Sequence, residues 1–551
     1  MEKILPTLIF IVTFGILLIG FNWGIPSDNR VKLIFGDASG LKAKLPEILE
    51  TRAKIIKKKD GRLYNDDYIK DISYEDAINR AAYQFLLMPY AGDDTFVLRA
   101  IKNLNPKKFQ FDPKVYLYGG GLIYTSAVFL QLSSWLGYFH LAPSEEYYMK
   151  NPNEAGKIYT VLRLMMVLFA TLGICLSYLL ANKYFGSKVA FLTWFTILSA
   201  PVTYQTTHGI EPHIFVLPFY IASFYFLFQA LSKDIRNNYI LSAIFTGIAI
   251  GTQATSLTIL FPFFMTLILN LKNNRISKFD LMKYFSMYAV VALLSFLIIN
   301  PYYILNYQGL LDQLSFGLIG QVYVGYMNRA PYQLSLFLVI LFLFAILYNL
   351  IKYRNKPFNQ LALAITISAI AVFIITEEAM SYVYSTIPFF AILSAIMLVD
   401  FFTLLKTKTL KLSITVMTLI LFLIFPIARS TYFLLNFNST NRDAAGEWIN
   451  NNVQAGSTVA VTFPPTTWDC FAFKFYDYKI SDFRKIVLFR EKTFPDTIIT
   501  VGQPLPKSIK NKYQLEKSFR SRSIFGYRFK IRGELHSLIA RPINIYFLNR
   551  I

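Results

Sequence analysis

The sequence predicts a polytopic α-helical membrane protein of about eleven transmembrane helices, followed by a C-terminal extracytoplasmic α/β domain. Three observations predict it. The 551 residues are 54% hydrophobic and 17% aromatic, too apolar for a water-soluble chain of this length. Apolar runs of about 20 residues, long enough to cross a bilayer, recur along it. Basic residues are sorted between alternate short loops, as the positive-inside rule requires of membrane proteins.

The first apolar run, Ile4–Trp23, is followed by the bulky stretch "FNWGIPSDNR". No small-residue cleavage site is seen there, so the run reads as a retained first span. A long polar stretch follows, and the next runs are Ile158–Ala181, Val189–Thr203, Ile214–Leu231, Tyr239–Gly251, Leu257–Leu271, Tyr284–Ile304, Leu334–Ile351, Leu361–Thr376, Tyr382–Leu404 and Leu412–Leu434. Residues 1–434 are therefore expected to form the membrane module, with 24–157 as its large first outer loop and 435–551 as a separate outer domain.

The charges set the orientation. Lys183 and Lys188; Lys233 and Arg236; Lys272, Arg275, Lys278 and Lys283; Lys352, Arg354 and Lys356; and Lys406, Lys408 and Lys411 fall in alternate short loops. The intervening short loops carry a single basic residue, Arg329. The N-terminus is thus expected in the cytoplasm, with the first loop and the tail outside a cytoplasmic (inner) membrane of bacterial type. The same sorting accounts for most of the formal charge of +22, so no nucleic-acid partner is expected.

Tyr116–Leu141 is also long enough to span, but spanning would turn every later basic loop outward. Its Gly119–Gly121 run and its Tyr and Trp content suit a helix at the outer interface instead. In Ser73–Met88, Ser73 is placed to cap a helix with Asp76 in the capping-box position, and Ala77, Ala81, Phe85 and Met88 share one face. In the tail, a helix to about Asn452, a turn at Gly456 and strands from Thr458, at Lys485–Phe489, Thr497–Val501, Tyr527–Ile531 and Ile543–Leu548 suggest an α/β domain.

The chemistry-bearing residues are few. The two cysteines, Cys175 and Cys470, read as unpaired thiols, because Cys175 lies inside an apolar run. The four histidines show no metal-ligand spacing. Asp93 and Asp94 follow Gly92 and open an amphipathic run in which Phe96, Val97, Ile101 and Leu104 recur at helical spacing. Two readings are open: acids at a helix N-terminus complement its dipole, or one of them is a general base held near the membrane surface. Glu211 lies in the next short outer loop with His208 and His213, and ionisable groups there usually line a cavity or serve a function. Arg163, near the outer end of the span from Ile158, needs an acidic partner or an anion such as phosphate.

The stretch "GDDTFVLRAIKNLNPKKFQFDPKVYLYGGGLIY" resembles the first outer loop of GT-C glycosyltransferases, the group that includes family 39 protein mannosyltransferases and lipid A aminoarabinose transferases. Asp93–Asp94 match the acidic pair, Arg163 the arginine opening the second span, and Ser199–Pro201 the end of the third. "SYVYSTIPFFAIL" and "NRDAAGEWINNNVQAGSTVAV" resemble later segments of the family. The chain departs from the pattern at Glu211, where aspartate is commoner, and in "GTQATSL", which lacks a frequent lysine.

The resemblance implies a GT-C fold and inverting transfer of a sugar from a polyprenyl-phosphate donor to a protein, lipid or glycan acceptor. It makes Asp93 the base with Asp94 its neighbour, Glu211 a second, positioning acid, and Arg163 and His208 the binders of the donor phosphate. It implies no cofactor and no metal; the "WWD" motif of the metal-dependent oligosaccharyltransferases is absent from the chain. A transporter or flippase is the competing class, but no inverted repeat is found. A polymerase or ligase of lipid-linked glycans would normally place its large loop late in the chain.

Overall fold

Within residues 1–434, the apolar runs fold mainly as helix wherever they are described. The computed structural model describes residues 4–58, 73–90, 94–116, 118–320, 334–376, 382–404, 413, 424–437, 441–467, 469–483, 494–502, 504–523 and 542–549. Among these, six helices are long and apolar enough to cross a membrane: Pro152–Phe185, Pro212–Gln229, Ala254–Lys272, Lys278–Ile299, Pro357–Ile374 and Tyr384–Leu404. Ile4–Leu18, Ser187–Ser199 and Leu336–Lys352 are shorter apolar helices. Residues 412 and 414–423 of the expected span Leu412–Leu434, together with Arg329 and Lys406–Lys411, lie outside the described residues.

The chain divides into two units, one of residues 1–21, 96–128 and 163–434, the other of 22–95, 129–162 and 435–551. In the first unit, local chemistry sets the helix ends. Pro201 stops Ser187–Ser199 and starts Pro201–Thr207 from its first position, where its missing N–H costs nothing. Ser277 and Asp280 form a capping box on Lys278–Ile299. That helix buries only 6% of its apolar window, as a lipid-facing helix does.

Its inner side is held by hydroxyls. Tyr288 bonds Thr246 at 2.6 Å, Thr246 bonds Ser223 at 2.7 Å, and Ser223 bonds Ser242 at 2.9 Å. Small polar residues of this kind let membrane helices approach and bond where no water competes.

The three consecutive glycines form a close-packing joint in the same unit. A Cβ at Gly119 or Gly120 would overlap the carbonyl oxygens of Gly251 and Ile299. Asn300 completes the joint, accepting from the Gly120 N–H at 2.8 Å and donating to Gly251 O at 2.9 Å. The helix they start, Gly120–Trp135, has 16 residues, about 24 Å at 1.5 Å per residue and short of a hydrocarbon core of about 30 Å.

The second unit combines helices with a sheet. Ser73 caps Tyr74–Leu87, accepting from the Asp76 N–H at 3.1 Å. The capping box is not completed as expected: the Asp76 carboxylate accepts from Thr51 at 2.9 Å instead. The helix is covered on every face over residues 77–86, Asn79, Arg80 and Gln84 included.

The sheet has the order β2-β1-β3-β5-β4, with β1 Thr458–Val461, β2 Lys479–Asp482, β3 Thr497–Val501, β4 Tyr513–Phe519 and β5 Ile543–Leu548. β1 pairs in parallel with β2 and β3, whereas β5 is antiparallel to β3 and β4. Its core gathers Ala460, Ile498, Leu505, Ile509, Tyr513 and Tyr546. The expected strands at Lys485–Phe489 and Tyr527–Ile531 lie outside the described residues. Cys175 and Cys470 are both unpaired.

Candidate functional site

Asp93 lies outside the described residues. Asp94 is fully buried and opens the helix Asp94–Lys102, where a carboxylate complements the helix dipole. Upstream in sequence, residues 85–90 are clamped within the second unit by residues that sequence reasoning missed. Arg30, 2% exposed, donates to Phe85 O at 2.7 Å, Met88 O at 2.6 Å and Gly24 O at 2.5 Å.

The Arg30 guanidinium also lies 4.5 Å from the Tyr90 ring centre, with Arg442 at 4.8 Å. The Tyr90 hydroxyl donates to Asp443 at 2.8 Å. Burial, then the Asp443 charge, push the phenol's pKa far above its usual value, so it stays protonated as a donor. Arg442 is itself fixed by Thr467 O and by Cys470 O at 3.0 Å. Arg442 and Asp443 belong to the "NRDAAGEW" stretch, the one signal that pointed to them.

In the first unit, Arg163 and His208 come together at the carbonyl end of Ile4–Leu18. Arg163 is fully buried and donates to Phe21 O at 2.9 Å. His208, 1% exposed, has Nε2 2.8 Å from Ile19 O and Nδ1 2.6 Å from Tyr204 O. Burial pushes its pKa down to about 4; the two carbonyls act the other way, and the Arg163 charge adds to the lowering. At neutral pH the ring is therefore neutral, with one N–H for the two carbonyls, and Arg163 supplies the positive charge that a helix C-terminus favours.

Glu211 sits at the N-cap of Pro212–Phe215 but makes no side-chain cap bond. Its Oε2 lies 3.2 Å from His213 Nε2. His213 Nδ1 in turn lies 2.9 Å from Gln253 Nε2, a residue that sequence reasoning did not single out. Among the described residues no group of three or more His, Cys, Asp or Glu is placed to hold a metal.

Arg163, His208, Glu211, His213 and Gln253 all fall within one family match. Residues 155–297 match the family described as dolichyl-phosphate-mannose-protein mannosyltransferase. No curated protein matches the chain.

Among solved structures, the oligosaccharyltransferase of Archaeoglobus fulgidus, in complex with zinc and sulfate, is similar at 16% identity and a TM-score of 0.41, over 68% of this chain and 57% of that one. This chain thus spans little more than half the length of that relative. ArnT from Cupriavidus metallidurans is similar in its apo state at 14% identity and a TM-score of 0.42, over 85% of this chain and 96% of that one. Its complex with undecaprenyl phosphate gives 12% identity and a TM-score of 0.39 over the same shares, 85% and 96%.

Proposed function

We propose that the protein is an integral-membrane glycosyltransferase that moves a sugar from a polyprenyl-phosphate donor to an extracytoplasmic acceptor, with inversion. The observation that carries this reading is the match of residues 155–297 to the mannosyltransferase family, because that segment contains the buried Arg163–His208 pair and the Glu211–His213 pair.

In the reaction, Asp93 takes the proton of an acceptor hydroxyl. The hydroxyl oxygen then bonds to the anomeric carbon as the bond from that carbon to the donor phosphate breaks. The electron pair leaves with the polyprenyl phosphate, whose charge Arg163, with His208 beside it, stabilises. Preorganised charge of this kind is often the largest catalytic contribution. Asp94, buried at its helix start, holds the base in place, and Glu211 is the second, positioning acid. A single displacement inverts the anomeric centre. No metal is required in this scheme.

The proposed topology has about eleven crossings, a cytoplasmic N-terminus, and the first loop and tail outside the inner membrane. Its support is that residues 22–95, 129–162 and 435–551, most of what is expected outside, group into a single unit, while 96–128 of the first loop falls in the same unit as 163–434. Polar segments that fold together lie on one side of a bilayer. The proposed division by sequence is 1–434 for the membrane module, with 24–157 its first outer loop, and 435–551 for the outer domain.

The test is incubation of purified protein in detergent with a panel of polyprenyl-phosphate sugars and a membrane extract as acceptor, with and without EDTA. EDTA-insensitive release of polyprenyl phosphate is expected, with sugar transferred to the extract. Movement of intact donor across vesicles without its cleavage would replace the transferase by a flippase.

A further inference from the structure

Glu211, His213, Gln253 and Tyr382 form a hydrogen-bonded chain whose proton positions are fixed by chemistry. The Tyr382 carbonyl oxygen is an acceptor only, and Gln253 Nε2 lies 2.6 Å from it. The opposite amide orientation would set two oxygens against each other, so the nitrogen faces Tyr382. Thr255 donates to the same carbonyl at 2.5 Å and holds it in place. The second amide proton points to His213 Nδ1, 2.9 Å away. Nδ1 must therefore be the unprotonated nitrogen, and the ring proton sits on Nε2. Nε2 lies 3.2 Å from Glu211 Oε2 and donates to it. The Tyr382 ring, with its centre 4.6 Å away, packs edge-on against the imidazole. A protonated Nδ1 would meet the Gln253 amide hydrogens, so the imidazole is held neutral.

The chain runs outward. The His213 side chain is 6% exposed and the Glu211 side chain 17%. We propose that Gln253 and His213 are positioning residues that hold the Glu211 carboxylate in a fixed orientation, as an ionised acceptor for the hydroxyl groups of a sugar. This rests on the glycosyltransferase reading, in which Glu211 faces the substrate. The logic is that of a catalytic triad, where a third group fixes the tautomer of a histidine and the histidine fixes its partner. Glu211 and His213 alone would leave the imidazole free to choose its tautomer, and Gln253 removes that choice.

Two readouts test the proposal, the first independent of activity. The full chain, which has four histidines, is labelled with 15N-histidine and reconstituted in lipid nanodiscs, and the His213 signals are assigned by their loss in His213→Gln. At pH 7 the wild type is expected to show the neutral Nε2–H tautomer. In Gln253→Leu the tautomer ratio should move toward Nδ1–H by roughly fivefold, the worth of one hydrogen bond of about 1 kcal/mol. A wild-type Nδ1–H tautomer or an imidazolium overturns the relay whatever the activity.

The second readout is transfer from a polyprenyl-phosphate sugar. His213→Gln and Gln253→Leu should each lower kcat about tenfold, the lower end of what loss of an orienting partner costs. In Glu211→Gln, a further His213→Gln should cost little more, because the two act as a unit. Full kcat in His213→Gln overturns the positioning role. If the wild type transfers from no donor, the glycosyltransferase reading fails and takes the sugar-binding role with it, while the tautomer still decides the relay.

Discussion

Replacing Arg30 by methionine keeps most of the side-chain volume and deletes the guanidinium. Two buried carbonyls, of Gly24 and Phe85, and the partly buried one of Met88 then lose a charged donor. Gly24 O keeps the Tyr90 N–H, so two acceptors are stranded; at about 1.5 kcal/mol each, within the roughly 1–3 kcal/mol that a stranded acceptor costs, they give about 3 kcal/mol of local stability. That corresponds to a roughly 100-fold rise in the open population of the clamp. Two reporters lie inside it: the Met88 amide donates to Gln84 O at 2.7 Å, and the Tyr90 amide to Gly24 O at 2.9 Å.

Hydrogen exchange by mass spectrometry in detergent reads both on peptides spanning residues 84–90. Exchange in Arg30→Met should be faster there by about two orders of magnitude, with β3 peptides unchanged. Because Tyr90 leads into Asp93 and Asp94, transfer activity should fall with it. Peptide protection within about threefold of wild type would refute the clamp.

Three further outcomes are expected. Gly120→Ala should abolish a monodisperse detergent-solubilised protein, because its Cβ would meet the Ile299 carbonyl, whereas Gly15→Ala, with open space around it, should leave thermal stability unchanged or higher. His208 has a folded-state pKa of about 4 against 6.5 unfolded. Between those values the unfolded chain binds a proton that the folded chain does not, so stability should fall as pH drops from 6.5 to 4 and level off below. His208→Gln should flatten that slope in pH-dependent unfolding midpoints. Arg163→Ala should lower kcat/KM for the donor by about 100-fold, with partial recovery in Arg163→Lys, measured as initial rates of polyprenyl phosphate release.

The apolar helices were legible because membrane burial demands long runs, and the sequence shows them directly. The edges of the sheet were not. β2, "KISD", and β4, "YQLEKSF", occupy the two ends of the order β2-β1-β3-β5-β4. Edge strands carry charge that blocks further pairing, and that charge hides the alternation which reveals a strand. The helix Tyr74–Leu87 was found, but not its surroundings: Ala77, Ala81 and Phe85 marked one buried face, whereas the other faces bury polar groups.

The site was legible where partners are close in sequence. Glu211 and His213 stand two residues apart and drew attention together. Gln253 joins them from 40 residues away. Tyr90 and Asp443 are 353 residues apart, and only tertiary structure pairs them. Arg163 was expected to meet an acid or an anion, yet the partner shown is a backbone carbonyl, as are those of His208, and a sequence carries no residue-type signal for a carbonyl at a helix end.

The central claim is tested most directly by comparing wild-type and Asp93→Asn protein, matched for folding by gel filtration and thermal stability, for transfer from radiolabelled polyprenyl-phosphate sugars. The account predicts sugar transfer and polyprenyl phosphate release by the wild type, and a loss of at least about 100-fold in Asp93→Asn with its fold intact. Full turnover by Asp93→Asn would contradict the base assignment, and no transfer by the wild type from any donor would contradict the glycosyltransferase itself.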